Sequence, residues 1–355
     1  MFRFIHIADV HMGAKPDPGR VWSDQRSEEL EKAFDNIINI CNMREIDLLL
    51  IAGDLYDYQP SKRELDKLDA KLRRLRRTQT VIAAGSSDYI SADAPANGYE
   101  FSSNTVLLPP DKPARVFLED INVCVTGMSY GRPEYRERYL ERMEPGRVDA
   151  YNILLGYGGD KDHMPFSKDE LLEKGFNYIA LGKKHQPTYV VKNRMAFAGS
   201  LEPLSEKETG KHGYIYGEVS DLGENHIAFV SASMRNYINR VYDLTPDYTA
   251  TGIRSMVERD INESGSHHIY RILLQGKIRG DVEINLSELV RRYNINEVID
   301  RTEYSYDTEE LLYENEGNLV CELFERLENG DSLINEKTRE RAKEYGLKAL
   351  LAGSE

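Results

Sequence analysis

Polar side chains that can bind a divalent cation follow the first apolar segment of the chain. Residues 2–8 form an apolar run broken only by Arg3 and His6, without helical periodicity, which is typical of a strand covered on both faces. Asp9 and His11 come directly after this run, and parallel sheets bind ligands at the carboxyl ends of their strands. A carboxylate beside an imidazole suits a borderline cation such as Mn, Fe or Zn. Alone, the Asp-x-His pattern is a weak signal.

Similar polar segments follow later apolar runs. These segments are Gly53-Asp54-Leu55-Tyr56-Asp57, Gly85-Ser86-Ser87-Asp88, Tyr157-Gly158-Gly159-Asp160 and Gly182-Lys183-Lys184-His185. Helical periodicity over 22–44 separates the first run from the second, and a capping box of Ser61 and Glu64 opens a helix that we expect to reach about Arg77. Strands that alternate with helices predict a parallel sheet with right-handed crossovers. The polar residues that follow the first three runs, which end near Ala8, Ala52 and Ala84, are therefore expected at one edge of the sheet.

Composition limits the function classes. The chain has 355 residues and a net charge of −14, with 46 Lys and Arg against 60 Asp and Glu, so nucleic-acid binding would need a local basic patch. Its three cysteines are far apart and form no C-x-x-C, which argues against a disulfide framework or a zinc knuckle. No signal peptide precedes the first run, and no apolar run has membrane-spanning length. We therefore expect a cytoplasmic protein without a membrane partner.

The pattern changes after the first two thirds of the chain. We expect a first α/β domain over 1–235 and a small α/β domain over 236–307, in which strands at 268–278 and 297–303 flank a helix at 286–293. Two helices over 308–355 follow, with the apolar stripes Val320-Leu323-Phe324-Leu327 and Ala342-Tyr345-Ala349-Leu350. Amphipathic terminal helices often bind a partner in a groove or bundle. The alternative is that they pack on their own domain.

The order and spacing of four motifs resemble those of the calcineurin-like metallophosphoesterases. These motifs are Asp9-x-His11, Gly53-Asp54-x-x-Asp57, Gly85-x-x-Asp88 and Gly182-x-x-His185. Within that superfamily, the chain is most similar to the nuclease subunit of SbcC–SbcD-type DNA-repair complexes, especially its Gram-positive paralogues. Gly199-Ser200-Leu201-Glu202-Pro203 supports this placement, as do the first two strand ends. The resemblance implies a β-sandwich flanked by helices, a small α/β capping domain and partner-binding C-terminal helices. It also implies an SbcC-like coiled-coil ATPase partner, with a homodimer and DNA as further partners.

The resemblance assigns a metal to part of this motif set. The family holds two metal ions that share a bridging aspartate. The first-metal ligands that it implies are all present here, and they are Asp9, His11, Asp54 and His185. Asp57 and Asp88 are expected to support these ligands through hydrogen bonds. The implied cofactor is one divalent metal, with manganese favoured and iron or zinc as alternatives.

The second-metal set is replaced. The family has Asn where Ser86 stands, and His where Tyr157 and Lys183 stand. Its acid histidine, which protonates the leaving oxygen, is Ser87 here, so no catalytic residue of the motif is intact. We interpret Ser86 and Ser87 as turn residues and Tyr157 as an aromatic side chain on the pocket floor. Lys183 either supplies positive charge near the second site or faces solvent.

These replacements favour one function over two alternatives. We expect a member of the repair-exonuclease family that holds at most one metal, has weak or no phosphodiesterase activity, and acts as a scaffold subunit of an ATPase complex. The alternative is an active phosphodiesterase or DNA exonuclease that uses a single metal, because one cation can still activate water near neutral pH. Binding of small phosphoesters is a third reading with no specific support.

Overall fold

The computed structural model describes residues 1–280, 282–305, 312–313, 316–328 and 335–351, with 337, 340, 344, 348 and 351 described by their backbone alone. It divides the chain into two compact units, Met1–Ile238 and Asn239–Glu355. The three-part division predicted from the sequence stays a prediction, and its boundary at 307/308 lies outside the described residues.

The first unit contains two six-stranded sheets. Their strands are β1 (Phe2–Ile7), β2 (Leu48–Ala52), β3 (Gln79–Ala83), β4 (Thr105–Leu107), β5 (Ala114–Leu118), β6 (Val123–Gly127), β7 (Tyr151–Tyr157), β8 (Tyr178–Gly182), β9 (Thr188–Val191), β10 (Met195–Phe197), β11 (Gly213–Val219) and β12 (Asn225–Ser231). The order is β12-β11-β1-β2-β3-β4 in the first sheet and β5-β6-β7-β8-β10-β9 in the second. Strands β1 to β4 are mutually parallel, as are β6, β7, β8 and β10.

Strand β2 shows why the apolar runs are continuous. Leu48, Leu50 and Ala52 belong to a core shared with Val125 and Ile153 of the second sheet. The alternate residues of β2, Leu49 and Ile51, pack instead with the apolar stripe of the first helix. Both faces of the strand are therefore buried, as in a sheet that is covered on two sides. This arrangement confirms the predicted α/β fold with sheets flanked by helices.

Three helices belong to the first unit: α1 (Ser23–Met43), α2 (Lys62–Leu72) and α3 (Lys168–Glu173). The predicted capping box is present at the start of α2, where Glu64 N donates to Ser61 Oγ and Ser61 N donates to the Glu64 carboxylate. The predicted end of α2 near Arg77 is wrong, since the helix ends at Leu72. After it, the chain tightens through i→i−3 hydrogen bonds, and Leu75 turns into the core.

The second unit contains a three-stranded sheet and four described helices. The strands, in sheet order, are β13 (Tyr237–Leu244), β14 (Ile269–Arg279) and β15 (Ile295–Ser305), and the helices are α4 (Ala250–Ser264), α5 (Ser287–Arg292), α6 (Leu319–Glu328) and α7 (Glu336–Leu351). Val320 and Phe324 of α6 form a small core with Leu347 of α7. Among the described residues, no helix is both long and apolar enough to cross a membrane.

Candidate metal centre

The backbone turns sharply where β1 and β2 end. Asp9, His11 and Asp54 have positive φ angles of 48°, 51° and 45°. Asp9 N donates to Gly53 O (3.1 Å) and His11 N donates to Asp54 O (3.0 Å), so the two strand ends hold each other in place. Positive φ is uncommon for residues other than glycine, and a cluster of such residues points to a functional site.

The second sheet approaches this edge through the end of β8. A Cβ atom on Gly182 would lie 1.7 Å from Ala52 O, so only glycine allows the approach. The next residue, Lys183, has a φ of 107°, and its backbone N–H donates to Asp9 Oδ2 (3.0 Å). This hydrogen bond links the two sheets beside the predicted metal ligands. It also brings His185 to the site.

The predicted first-metal ligands lie close together. Asp9, His11 and His185 offer ligand atoms within 4.8 Å of one another. His11 Nε2 lies 3.8 Å from Asp54 Oδ2, and His185 Nε2 lies 3.8 Å from Asp9 Oδ1. Three of the four predicted ligands therefore form one cluster, and Asp54 lies beside His11 at its edge.

Two polar atoms of this group are buried without a hydrogen-bond partner among the described residues, as in a metal site without its ion. Asp9 Oδ1 and His11 Nε2 are both buried and have no hydrogen-bond partner in the part of the chain that the structure describes. A buried polar atom without a partner costs free energy of about 1–3 kcal/mol. A divalent cation would satisfy both atoms, and a mixed oxygen and imidazole set suits Mn, Fe or Zn. The residues present therefore fit a metal.

Each histidine has a carboxylate partner on its other ring nitrogen. His11 Nδ1 lies 2.9 Å from Asp57 Oδ1, and His185 Nδ1 lies 3.0 Å from Glu208 Oε1. Carboxylate partners of this kind orient metal-binding histidines and fix their tautomer. The sequence analysis missed Glu208, because it lies in a loop outside the motifs and no spacing connects it to His185.

Asp54 contacts three of the replaced positions. The hydroxyl of Tyr157 donates to Asp54 Oδ2. Ser87 donates to the same carboxylate through its N–H (2.8 Å) and its Oγ (3.0 Å), and Ser86 Oγ lies 3.4 Å from Asp54 Oδ2. The interpretation of the serines as turn residues and of Tyr157 as an aromatic side chain on the pocket floor did not include these hydrogen bonds. Their hydroxyl groups contact the aspartate that the resemblance assigns as the bridging ligand.

Lys183 lies next to this network. Its Nζ is 5.5 Å from the centroid of the Tyr157 ring, within the range of a cation–π contact. Tyr157 is the residue whose hydroxyl donates to Asp54. Of the two alternatives for Lys183, this position favours positive charge near the second site over a side chain directed to solvent.

Asp88 holds the two loops of the first sheet together. Its carboxylate accepts hydrogen bonds from the backbone N–H groups of Leu55 (2.8 Å), Tyr56 (3.1 Å) and Gly85 (2.7 Å). A Cβ atom on Gly85 would lie 2.2 Å from Asp54 Oδ1, so this position requires glycine. Asp88 therefore orders the backbone of both loops, and its support of the metal ligands stays a prediction.

Burial and neighbouring charges shift the pKa values of Asp9, His11 and His185. Burial raises the pKa of Asp9 to about 6, with the Asp54 charge adding to the effect and His185 opposing it. Burial alone would lower the pKa of His11, but its hydrogen bond to Asp57 and the nearby carboxylates raise it overall. Burial would also lower the pKa of His185, and Glu208 raises it. Carboxylates forced together in this way are stabilised by a cation.

Comparisons with known proteins agree with this geometry. The sequence model of the calcineurin-like phosphoesterase family matches residues 2–217, which is more than half of the chain. The chain belongs to the calcineurin-like phosphoesterase family. This confirms the predicted family and its use of divalent metals.

Two curated proteins show the same relationship. The uncharacterized metallophosphoesterase YhaO of Bacillus subtilis (strain 168) is 26% identical over 300 residues, which cover 77% of this chain and 71% of YhaO. The DNA double-strand break repair protein Mre11 of Sulfurisphaera tokodaii is 26% identical over 302 residues, which cover 78% of this chain and 74% of that protein.

Proposed function

We propose that this chain is a DNA-repair-type metallophosphoesterase subunit that holds at most one divalent metal and hydrolyses phosphodiesters weakly or not at all. One observation carries the proposal. Asp54, which the family uses to bridge two metals, instead accepts hydrogen bonds from Tyr157 and Ser87. A second cation on Asp54 would have to displace these donors.

The neighbouring side chains add to this argument. Tyr157 stands where an imidazole ligand is needed, and the ammonium group of Lys183 lies against its ring. An ammonium within a few Å of a divalent cation is strongly repelled. Loss of the acid histidine at Ser87 costs roughly 10²–10⁴-fold in rate, and loss of the second metal removes several kcal/mol of charge stabilisation.

The first site supports retention of one metal. Asp9, His11, Asp54 and His185 are in place, and the unpaired atoms Asp9 Oδ1 and His11 Nε2 point to a cation. We favour manganese, with iron or zinc as alternatives. The same observation favours the second candidate function, an active phosphodiesterase or exonuclease that works with this single metal.

A scaffold role follows if the chemistry is weak. We propose that the chain is a cytoplasmic subunit of a repair-type complex with an SbcC-like coiled-coil ATPase, and that homodimer formation and DNA binding accompany this role. The similarity to an Mre11 protein supports the complex. The helix pair α6 and α7 offers a surface for the ATPase, since Leu319 is 66% exposed and Tyr345 is 72% exposed.

The test compares the parent chain with a variant whose second site is rebuilt. The variant carries Ser86→Asn, Ser87→His, Tyr157→His and Lys183→His. We expect one bound Mn²⁺ per parent chain by metal analysis and two per variant chain. Hydrolysis of bis-p-nitrophenyl phosphate, which needs no DNA-binding surface, should rise by roughly 10²-fold or more in the variant.

Single substitutions serve as the control. Ser86→Asn alone should leave both the metal count and the rate unchanged, because groups that act as a unit are strongly non-additive. Two tightly held metals in the parent would refute the proposal. Hydrolysis by the parent at a rate comparable with the variant would establish the single-metal enzyme instead.

A further inference from the structure

We propose that Glu208 is a positioning residue of the metal centre, which fixes the tautomer and orientation of His185 so that its Nε2 lone pair faces Asp9. The inference rests on the proposed metal at Asp9, His11, Asp54 and His185. It concerns a residue that lies outside all of the sequence motifs.

The hydrogen bond between Glu208 and His185 determines which ring nitrogen is available. An ionised carboxylate is only an acceptor, so the 3.0 Å contact with Glu208 Oε1 places the hydrogen of the neutral imidazole on Nδ1. Nε2 then presents a lone pair toward Asp9 Oδ1, which is 3.8 Å away. A divalent cation between these two facing acceptors would satisfy both of them.

The Glu208 carboxylate is itself held in place. Its Oε2 accepts a hydrogen bond from Leu204 N (2.9 Å), and Glu208 N donates to Ser205 O (2.9 Å). The carbonyl oxygen of Glu208 lies 3.2 Å from His212 Nε2, and the other nitrogen of that ring lies 2.8 Å from Ser200 Oγ. This loop therefore presents the carboxylate in one position, as a preorganised site requires.

Glu208 and Asp57 have similar contacts but different exposure. The Glu208 side chain is 18% exposed, whereas that of Asp57 is 46% exposed. Water reaches Asp57 easily and can replace it as the acceptor for His11 Nδ1. Water reaches Glu208 less easily, so its removal should weaken metal binding more than removal of Asp57.

The test is a double-mutant cycle in the full chain, with Mn²⁺ affinity measured by calorimetry. Glu208→Ala should weaken Mn²⁺ binding by roughly 10–100-fold, the range found for such partners, and Asp57→Ala by less. In a His185→Ala background, Glu208→Ala should have no further effect, because Glu208 acts through His185. A merely structural role would lower the affinity in both backgrounds.

Glu141→Gln is the matched control. Glu141 also accepts a hydrogen bond from a backbone N–H, that of Ser167, and its side chain is 11% exposed. This variant should bind Mn²⁺ as the parent does, and should keep the parent's Co²⁺ absorption spectrum, whereas Glu208→Ala should change the spectrum. Absence of Mn²⁺ binding in the parent would refute the proposed metal centre. Two results would overturn this inference alone, provided that the parent binds Mn²⁺ normally. One is an unchanged Mn²⁺ affinity in Glu208→Ala, and the other is an equal loss of affinity from Glu208→Ala in the parent and in the His185→Ala background.

Discussion

The Tyr157 hydroxyl offers a direct test of the interpretation of Asp54. Tyr157→Phe removes one hydroxyl group and keeps the ring that packs over Gly53. Tyr157 is 1% exposed, so water cannot replace its hydrogen bond to the Asp54 carboxylate. Hydrogen bonds to charged groups contribute about 1.5–3 kcal/mol, so the free energy of unfolding of the metal-free protein should fall by that amount.

The chain provides its own probe and control for this experiment. Its single tryptophan, Trp22, is buried in the first unit, so tryptophan fluorescence during urea denaturation with a chelator reports the unfolding of that unit. Tyr130→Phe is the matched control. The Tyr130 hydroxyl is also buried, but it donates to the neutral Tyr157 carbonyl (3.0 Å), and its loss should cost about 0.5–1.5 kcal/mol.

The comparison of the two variants decides the outcome. If the free energy of unfolding falls clearly more in Tyr157→Phe than in Tyr130→Phe, the result supports a charge-assisted hydrogen bond to Asp54. Equal losses, or a Tyr157→Phe variant as stable as the parent, would show that the hydroxyl does not hold this carboxylate. The reasoning that Asp54 is occupied by protein donors would then fail.

Two further predictions concern the C-terminal helices and pH. A chain that ends at residue 307 lacks α6 and α7. It should keep Mn²⁺ binding and the Trp22 fluorescence signal but no longer pull down an SbcC-like ATPase. Retained pull-down would contradict the proposed binding surface. The pKa of Asp9 is raised from 3.8 to about 6. Between these two pH values, the folded metal-free protein therefore keeps a proton on Asp9 that the unfolded chain has lost. Its free energy of unfolding should therefore fall as pH rises through that interval, and less so in Asp9→Asn. Saturating Mn²⁺ should remove the contribution of Asp9 to this pH dependence. Equal pH dependence of the unfolding free energy in the parent and in Asp9→Asn would refute the prediction.

Local patterns in the sequence were enough to predict most of the fold. The continuous apolar runs predicted buried strands, and Ser61 with Glu64 predicted the start of α2, because both signals depend on neighbouring residues. The end of α2 was not predicted, since Leu75 leaves the helix to reach a core formed by other elements. Periodicity alone cannot show that contact.

The four predicted ligands lie in local motifs, and His185, on the second sheet, was assigned through the family resemblance. Asp9, His11 and Asp54 follow strands of one parallel sheet, so topology alone places them together. The Tyr157 hydroxyl reaches Asp54 across 103 residues and from the other sheet, and Glu208 reaches His185 from a separate loop. Such contacts depend on how the two sheets pack, which no spacing in the sequence records.

The distribution of the four ligands over the two sheets has a mechanical consequence. Asp9, His11 and Asp54 follow strands of the first sheet, whereas His185 follows β8 of the second. An ion held by these four residues would therefore act as a cross-link that resists separation of the two sheets. An ion that binds only the folded state adds about 2.7 kcal/mol at a hundredfold excess over its Kd. Under the proposed function, selection for durability would preserve this ligand set independently of catalysis.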